Sequence, residues 1–342
     1  MSRQRIRLPK IEPTPEDAYF NRRSIMKMLG LGGIALGTGL PMIGRSSAVA
    51  QPLARDAERG TEIEKHPALK PGIARDEILK HYPADRNDKY PLRAEGDKLT
   101  DAQTVATYNN FYEFTTQKDL VWRIAQEKFK PDPWEIEVTG LCHKPTKFST
   151  DDIFKKFAAD LEERTYRFRC VEAWAMDVPW TGIELNGLLK AVEPKSDAKF
   201  VRFFTANRPQ EMPGIPSQPW YEWPYYEGLR MDEAMNELTL LCTGMYGKPL
   251  PHQNGAPFRI ICPWKYGYKS PKSIVKIELV QKQPKTFWEA LQPNEYPFES
   301  NVEPKVPHPR WSQKFERVIP HNNLRETLYL NGYAEWVGKL YS

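Results

Sequence analysis

Prolines recur about once every eleven residues along this chain, 31 in 342, and that spacing limits what it can fold into. Each proline removes a backbone donor and stops a helix interior, and within sheets proline is confined to edges, bulges and first positions. Helices must therefore be short and connections long and irregular. A hydrophobic fraction of 40%, with ten Trp, gives ample apolar surface for a folded body and argues against disorder. Trp134, Ile136 and Val138 alternate with Glu135, Glu137 and Thr139, the period of a half-buried strand. Further strands are predicted at 166–171, 200–205, 258–262, 273–279 and 327–330. Short helices are predicted at 184–192 and 230–236, and a third at 153–157 behind the N-capping run Ser149-Thr150-Asp151-Asp152. Strands outnumber helices, which predicts an α+β body with mixed sheets.

The net charge of +5 is concentrated at one end. Residues 1–50 hold eight basic and three acidic residues; removing them from the chain's 49 and 44 leaves 41 of each. The basic balance therefore implies no nucleic-acid partner for the body. The same fifty residues read as an export leader: Arg22-Arg23 with Lys27, a mildly apolar Gly-rich run from Met26 to Leu40, and the small-x-small site Ala48-Val49-Ala50. Cleavage after Ala50 by way of the twin-arginine translocase would deliver a folded protein to the periplasm, and folding before export suits a cofactor inserted in the cytoplasm. Residues 51–105 are charged and weakly periodic, an extended arm, and 106–342 form the expected catalytic domain.

No G-x-S-x-G elbow, Walker A loop or H-E-x-x-H appears, and the six histidines are scattered. Cys142 and His143, as neighbours, would face opposite ways on a strand. Three of the four cysteines lie in apolar runs that suit buried thiols; Cys170 differs, following Arg167 and Arg169 and preceding Glu172. Cationic neighbours favour the thiolate, so Cys170 is a soft-metal ligand, a nucleophile or a buried structural thiol. Asn109 and Asn110 lie among Tyr108, Phe111, Tyr112, Glu113 and Phe114, suiting either a polar heterocycle or a simple turn. After Gln253-Asn254-Gly255-Ala256-Pro257 come Arg259, Lys265, Lys269 and Lys272 among turn residues, a phosphate cradle or a solvated basic loop.

Arg-Cys-Val-Glu-Ala-Trp at 169–174, Tyr-Asn-Asn-Phe-Tyr-Glu-Phe at 108–114, Gln-Asn-Gly-Ala-Pro at 253–257 and Pro-Trp-Lys-Tyr-Gly at 263–267 occur in order. With His308-Pro309-Arg310-Trp311-Ser312 and the leader, the chain resembles the periplasmic protein-methionine-sulfoxide reductase catalytic subunits, molybdenum enzymes with the sulfite-oxidase fold. The resemblance implies molybdenum bound by molybdopterin without an appended nucleotide, with Cys170 as the protein ligand to the metal. It implies cofactor contacts at Asn109, Tyr112, Glu113, Thr205, Asn254, Arg259, Ser270, Pro271 and Lys272, with Asn110 and Glu172 beside the open side of the metal. Oxidised periplasmic proteins would be the substrates. A haem-containing membrane subunit would be the electron donor, since the sequence carries no haem or iron–sulfur motif of its own. The aromatic, Pro-rich stretch 212–224 could wall the mouth. A sulfite dehydrogenase of the same fold would instead bring Arg167 and Arg169 to its anion, and a non-catalytic binding module would use the aromatics alone.

Overall fold

The computed structural model describes residues 66–90 and 97–342. The expected leader and the first part of the arm lie outside the described residues. Thirteen strands form among the described residues. They are β1 (Asp85–Arg86), β2 (Glu135–Gly140), β3 (Thr146–Ser149), β4 (Glu162–Arg169), β5 (Trp174–Glu184), β6 (Phe200–Thr205) and β7 (Tyr226–Arg230). The series continues with β8 (Leu240–Met245), β9 (Lys248–Pro249), β10 (Arg259–Ile261), β11 (Ile274–Val280), β12 (Phe315–Val318) and β13 (Asn323–Glu326). The helices of six residues or more are α1 (Ala102–Thr107), α2 (Val121–Lys128), α3 (Thr150–Phe157) and α4 (Leu185–Ala191).

Two mixed sheets result, so the fold class is α+β. One has eight strands, running β1-β4-β5-β12-β13, with β8 also paired to β5 and carrying β9 and β10. The other runs β3-β2-β11-β6-β7. Parallel pairs (β1 with β4, β12 with β5, β11 with β2) interrupt otherwise antiparallel ladders. The core between them is continuous and includes Val138, Val178, Trp180, Phe203, Leu241 and Ile277. Ala68, Leu69, Ile73, Ile78 and Tyr90 join it from the segment before α1.

The expected cap of α3 is a full capping box, Ser149 accepting from the Asp152 N–H while Asp152 accepts from the Ser149 N–H. The strand expected at 327–330 is a correction. The strand lies just before it, as β13, and residues 329–332 form a tight turn with Leu330 and Asn331 at φ of 48° and 54°. That left-handed backbone cannot continue a ladder, and the Asn331 amide holds the turn by donating to the carbonyls of Arg167 and Pro263. Cys142 and His143 follow β2 rather than lying on it; Cys142 is buried and His143 exposed. All four cysteines are buried free thiols.

Candidate active site

Cys170 occupies the tight turn from β4 to β5. Its N–H donates to the Trp174 carbonyl (2.9 Å), its carbonyl accepts from the Ala173 N–H (3.1 Å), and Ala173 takes a left-handed φ of 63° to close the turn. The sulfur is left facing polar groups. The Glu172 N–H donates to it at 3.4 Å and the Asn110 amide at 3.6 Å. The Glu172 carboxylate accepts from the Trp174 indole (3.0 Å) and the Asn110 amide (3.4 Å), and pairs with Lys118 at 3.1 Å.

The two arginines do not serve this sulfur as their spacing suggested. Arg167 pairs with Asp97 and Glu316, both at 2.8 Å, and Arg169 with Glu316 at 2.8 Å. Alternation along β4 sends both guanidinium heads into the same buried acidic cluster, where carboxylates neutralise them. Burial instead pushes the Cys170 thiol up to about 12, with the Glu172 charge adding to it and Lys118 and Arg169 opposing. A soft metal ion at the sulfur would favour the thiolate against that burial.

The amides and cations gather on the other side of Asn110. Lys272 donates to the Asn110 carbonyl (2.7 Å), so this one residue joins the sulfur to the basic loop. Asn254 donates to Asn109 (3.2 Å) and to the Val105 carbonyl (3.0 Å), while Asn109 donates to the Ala106 carbonyl (3.0 Å). Arg259 donates only to carbonyls, of Asn254 (3.0 Å) and Ser270 (3.2 Å), and lies against the rings of Trp180 and Phe168. Ser270 accepts from the Cys262 N–H, which leaves its own hydroxyl proton to give. Pro271 has no N–H, and its carbonyl accepts from Ile260, so it supplies shape alone. Thr205 donates to the buried Glu113 carboxylate at 3.4 Å.

Of the four cations counted in the sequence, two are spent elsewhere. Lys265 pairs with Glu233 at 2.6 Å and Lys269 with Glu227 at 2.7 Å, all four buried. Arg259 has no carboxylate partner among the described residues, and burial lowers it to about 10. Burial also lowers Lys272, and the Arg259 charge adds to the effect. Lys272 faces the buried Glu113 carboxylate while Arg259 has none among the described residues, so the site is short of negative charge. The buried Arg259 Nε, Asn254 Oδ1 and Asn110 Oδ1 are without hydrogen-bond partners among the described residues. Buried polar groups are otherwise almost always satisfied, so this donor set fits a phosphorylated, heteroatom-rich ligand. Among the described residues no three His, Cys, Asp or Glu side chains converge to hold a metal.

Aromatic rings cluster beside Cys170 and Glu172. Tyr112 lies at 6.4 Å from Tyr221 and 5.5 Å from Trp288, and Trp288 at 5.4 Å from Tyr296. The stretch 212–224 contributes Tyr221 and the exposed Trp220. Its inner end presses on the site loop so closely that a Cβ on Gly214 would lie 2.0 Å from the Tyr112 carbonyl oxygen. Sequence reading missed Lys118, Trp174 as a donor, Trp288, Tyr296 and Gln313. Trp174 and Gln313 adjoin motifs singled out above and Lys118 lies shortly after one, whereas Trp288 and Tyr296 reach the site from a remote chain segment.

Fold and site together define an oxidoreductase built to hold a molybdopterin. Residues 123–288 match the oxidoreductase molybdopterin binding domain family. The chain is 44% identical over 341 residues to the protein-methionine-sulfoxide reductase catalytic subunit MsrP of Burkholderia mallei, covering 98% of this chain and 93% of that one. It is 45% identical to the MsrP of Pseudomonas syringae pv. tomato, covering 96% of this chain and 93% of the relative. For that of Xanthomonas axonopodis pv. citri the identity is 43%, over 99% and 97%. The chain belongs to the MsrP family of protein-methionine-sulfoxide reductase catalytic subunits.

Proposed function

We propose that this protein reduces methionine sulfoxide residues of oxidised proteins to methionine at a molybdenum–molybdopterin centre. The observation that carries the reading is the pairing of a polar-faced cysteine sulfur with an adjacent cradle short of negative charge beside a cluster of aromatic rings. A methionyl sulfoxide is neutral, so it needs an apolar wall and hydrogen-bond donors for its oxygen. A sulfite dianion would need free guanidinium groups, and those of Arg167 and Arg169 are engaged with Asp97 and Glu316.

Cys170 supplies the one protein sulfur to the metal. Arg259, Lys272 and the Ser270 hydroxyl hold the phosphate, Asn109, Asn254, Thr205, Glu113 and Tyr112 hold the pterin, and Pro271 shapes the loop between them. The bound cofactor supplies two-electron oxygen-atom transfer. Overall, sulfoxide, two electrons and two protons give thioether and water. Asn110 orients the sulfoxide through its amide, and Glu172, held by Trp174 and Lys118, handles protons at the mouth. The aromatic rim excludes bulk water.

Electrons come from a haem-containing membrane subunit fed by the quinone pool. No helix among the described residues is long and apolar enough to cross a membrane, so contact with the bilayer would run through that partner. Residues 1–50 are the twin-arginine signal, cleaved after Ala50 in the periplasm; 51–105 form the arm and 106–342 the catalytic domain. Metal and pterin content, followed by turnover of the exported protein on protein-bound methionine sulfoxide with a reduced artificial donor and on sulfite with an oxidised artificial acceptor, tests the reading. Molybdenum with pterin, and conversion of protein-bound methionine sulfoxide without sulfite oxidation, are expected. Sulfite oxidation in place of sulfoxide reduction would move the protein to the dehydrogenases, and absence of metal and pterin would leave a binding module.

A further inference from the structure

The Val171–Glu172 peptide has its two ends pinned to different things. Its N–H, that of Glu172, donates to the Cys170 sulfur at 3.4 Å. Its carbonyl, that of Val171, points the other way and accepts two side-chain donors, the Trp311 indole at 2.8 Å and the Gln313 amide at 2.9 Å. A trans peptide is planar, with C=O and N–H on opposite sides, so fixing the oxygen fixes the direction of the hydrogen.

Both anchors are themselves held. Gln313 is buried, and its oxygen accepts from Arg169 at 2.7 Å, which leaves its amide nitrogen as the end that faces Val171. Arg169 also donates to the Cys170 carbonyl and is tied to Glu316. The Trp311 ring stacks on His308 at 3.7 Å between centroids and 11° between planes. A segment some 140 residues further along the chain thus aims one N–H at one sulfur.

We infer that Trp311 and Gln313 are positioning residues that tune the metal by holding the Glu172 N–H on the Cys170 sulfur. The inference rests on Cys170 being the molybdenum ligand. An N–H···S bond withdraws electron density from a thiolate, weakens it as a donor and raises the reduction potential of the metal it binds. Losing the lock frees the peptide to rotate and makes the sulfur a stronger donor.

The test uses the metal-loaded protein and the variants Trp311→Phe, Gln313→Met and the double variant, with Phe315→Ser as an exposed control in the same segment. Molybdenum content, the paramagnetic Mo(V) spectrum and a redox titration are measured beside kcat and KM. Expected are near-native molybdenum, an altered Mo(V) spectrum and a midpoint potential shifted downwards in each single variant and further in the double. KM should hold while kcat changes. Native spectra and potentials in fully loaded single variants would overturn the inference, leaving Trp311 and Gln313 as packing residues. If the double variant does not fold, Trp311→Phe, which keeps the ring and removes one donor, decides alone. A Cys170→Ser protein with native metal and spectrum would instead overturn the ligand assignment beneath it.

Discussion

A guanidinium buried without a carboxylate costs stability, and Arg259 carries that cost in the polypeptide by itself. Its folded value, about 10, lies below its ordinary 12.5. The charged form is therefore penalised at every pH below about 10, with relief only as pH climbs from there towards the ordinary value. At roughly 1.4 kcal/mol per unit, the penalty is about 3 kcal/mol across the neutral range. Arg259→Met should accordingly raise the melting temperature of metal-free protein while reducing pterin retention at least about tenfold, a loss of about 1.4 kcal/mol or more in binding. A variant that keeps its pterin would remove Arg259 from the cradle. Glu172→Gln separates holding from proton handling at the mouth, since the amide still accepts from Trp174 but cannot carry a proton at neutral pH. A fall of about 10²–10⁴ in kcat with molybdenum retained is expected, against little change if Glu172 only orients. That Cys170, Asn110 and Glu172 stand together was legible only through the family resemblance, since Asn110 lies 60 residues from Cys170 and 62 from Glu172 in the chain, and the structure brings the three into contact. Lys118 and Gln313 were not legible, because each acts on a residue more than fifty positions away, and nothing local in the sequence tells the half-buried Lys118 or the buried Gln313 from a solvated lysine or glutamine.

Elements show the same division between local and remote information. β6 falls at the residues its alternation predicts, half-buried along one side. β5 left no such trace because it is buried on both faces almost throughout, which erases the period of two. The hairpin of β12 and β13 was hidden for another reason: its inward residues are charged. Glu316 meets Arg167, Arg169 and Arg325, and Arg325 also meets Asp97 and Asp177. A charged strand reads as surface until its partners are known. That cluster fastens the hairpin behind the Cys170 turn, with Arg317 donating from its backbone to the Ala173 carbonyl. Glu316→Gln removes the carboxylate shared by three arginines, and a loss of about 3–5 kcal/mol in denaturant melts is expected for leaving buried charge uncompensated. Phe315→Ser, one residue away and facing solvent, should stay within about 0.5 kcal/mol of the parent.

At the scale of the molecule, the proposed cradle draws residues from both sheets. Cys170 follows β4 and Arg259 opens β10 in the eight-stranded sheet, Thr205 ends β6 in the five-stranded one, and Ser270 to Lys272 lie on the connection from β10 to β11 between them. Asn109 and Asn110 arrive from the loop between α1 and α2. A single ligand contacting all of these would crosslink segments that the chain otherwise joins through carbonyl and amide contacts at the cradle. Anything that binds only the folded form stabilises it by mass action, by about 2.7 kcal/mol when free ligand is a hundredfold above its dissociation constant. Protein made in cells unable to synthesise the pterin should therefore fold yet melt at a lower temperature than loaded protein. Its faster amide exchange should be confined to residues 108–115, 252–257 and 268–273. The gap in melting temperature should narrow in Arg259→Met from both sides, since the metal-free form gains what the loaded form loses. Equal melting temperatures with and without pterin would mean that the cradle is held open by the polypeptide alone, and the unpaired charge at Arg259 would then need another owner.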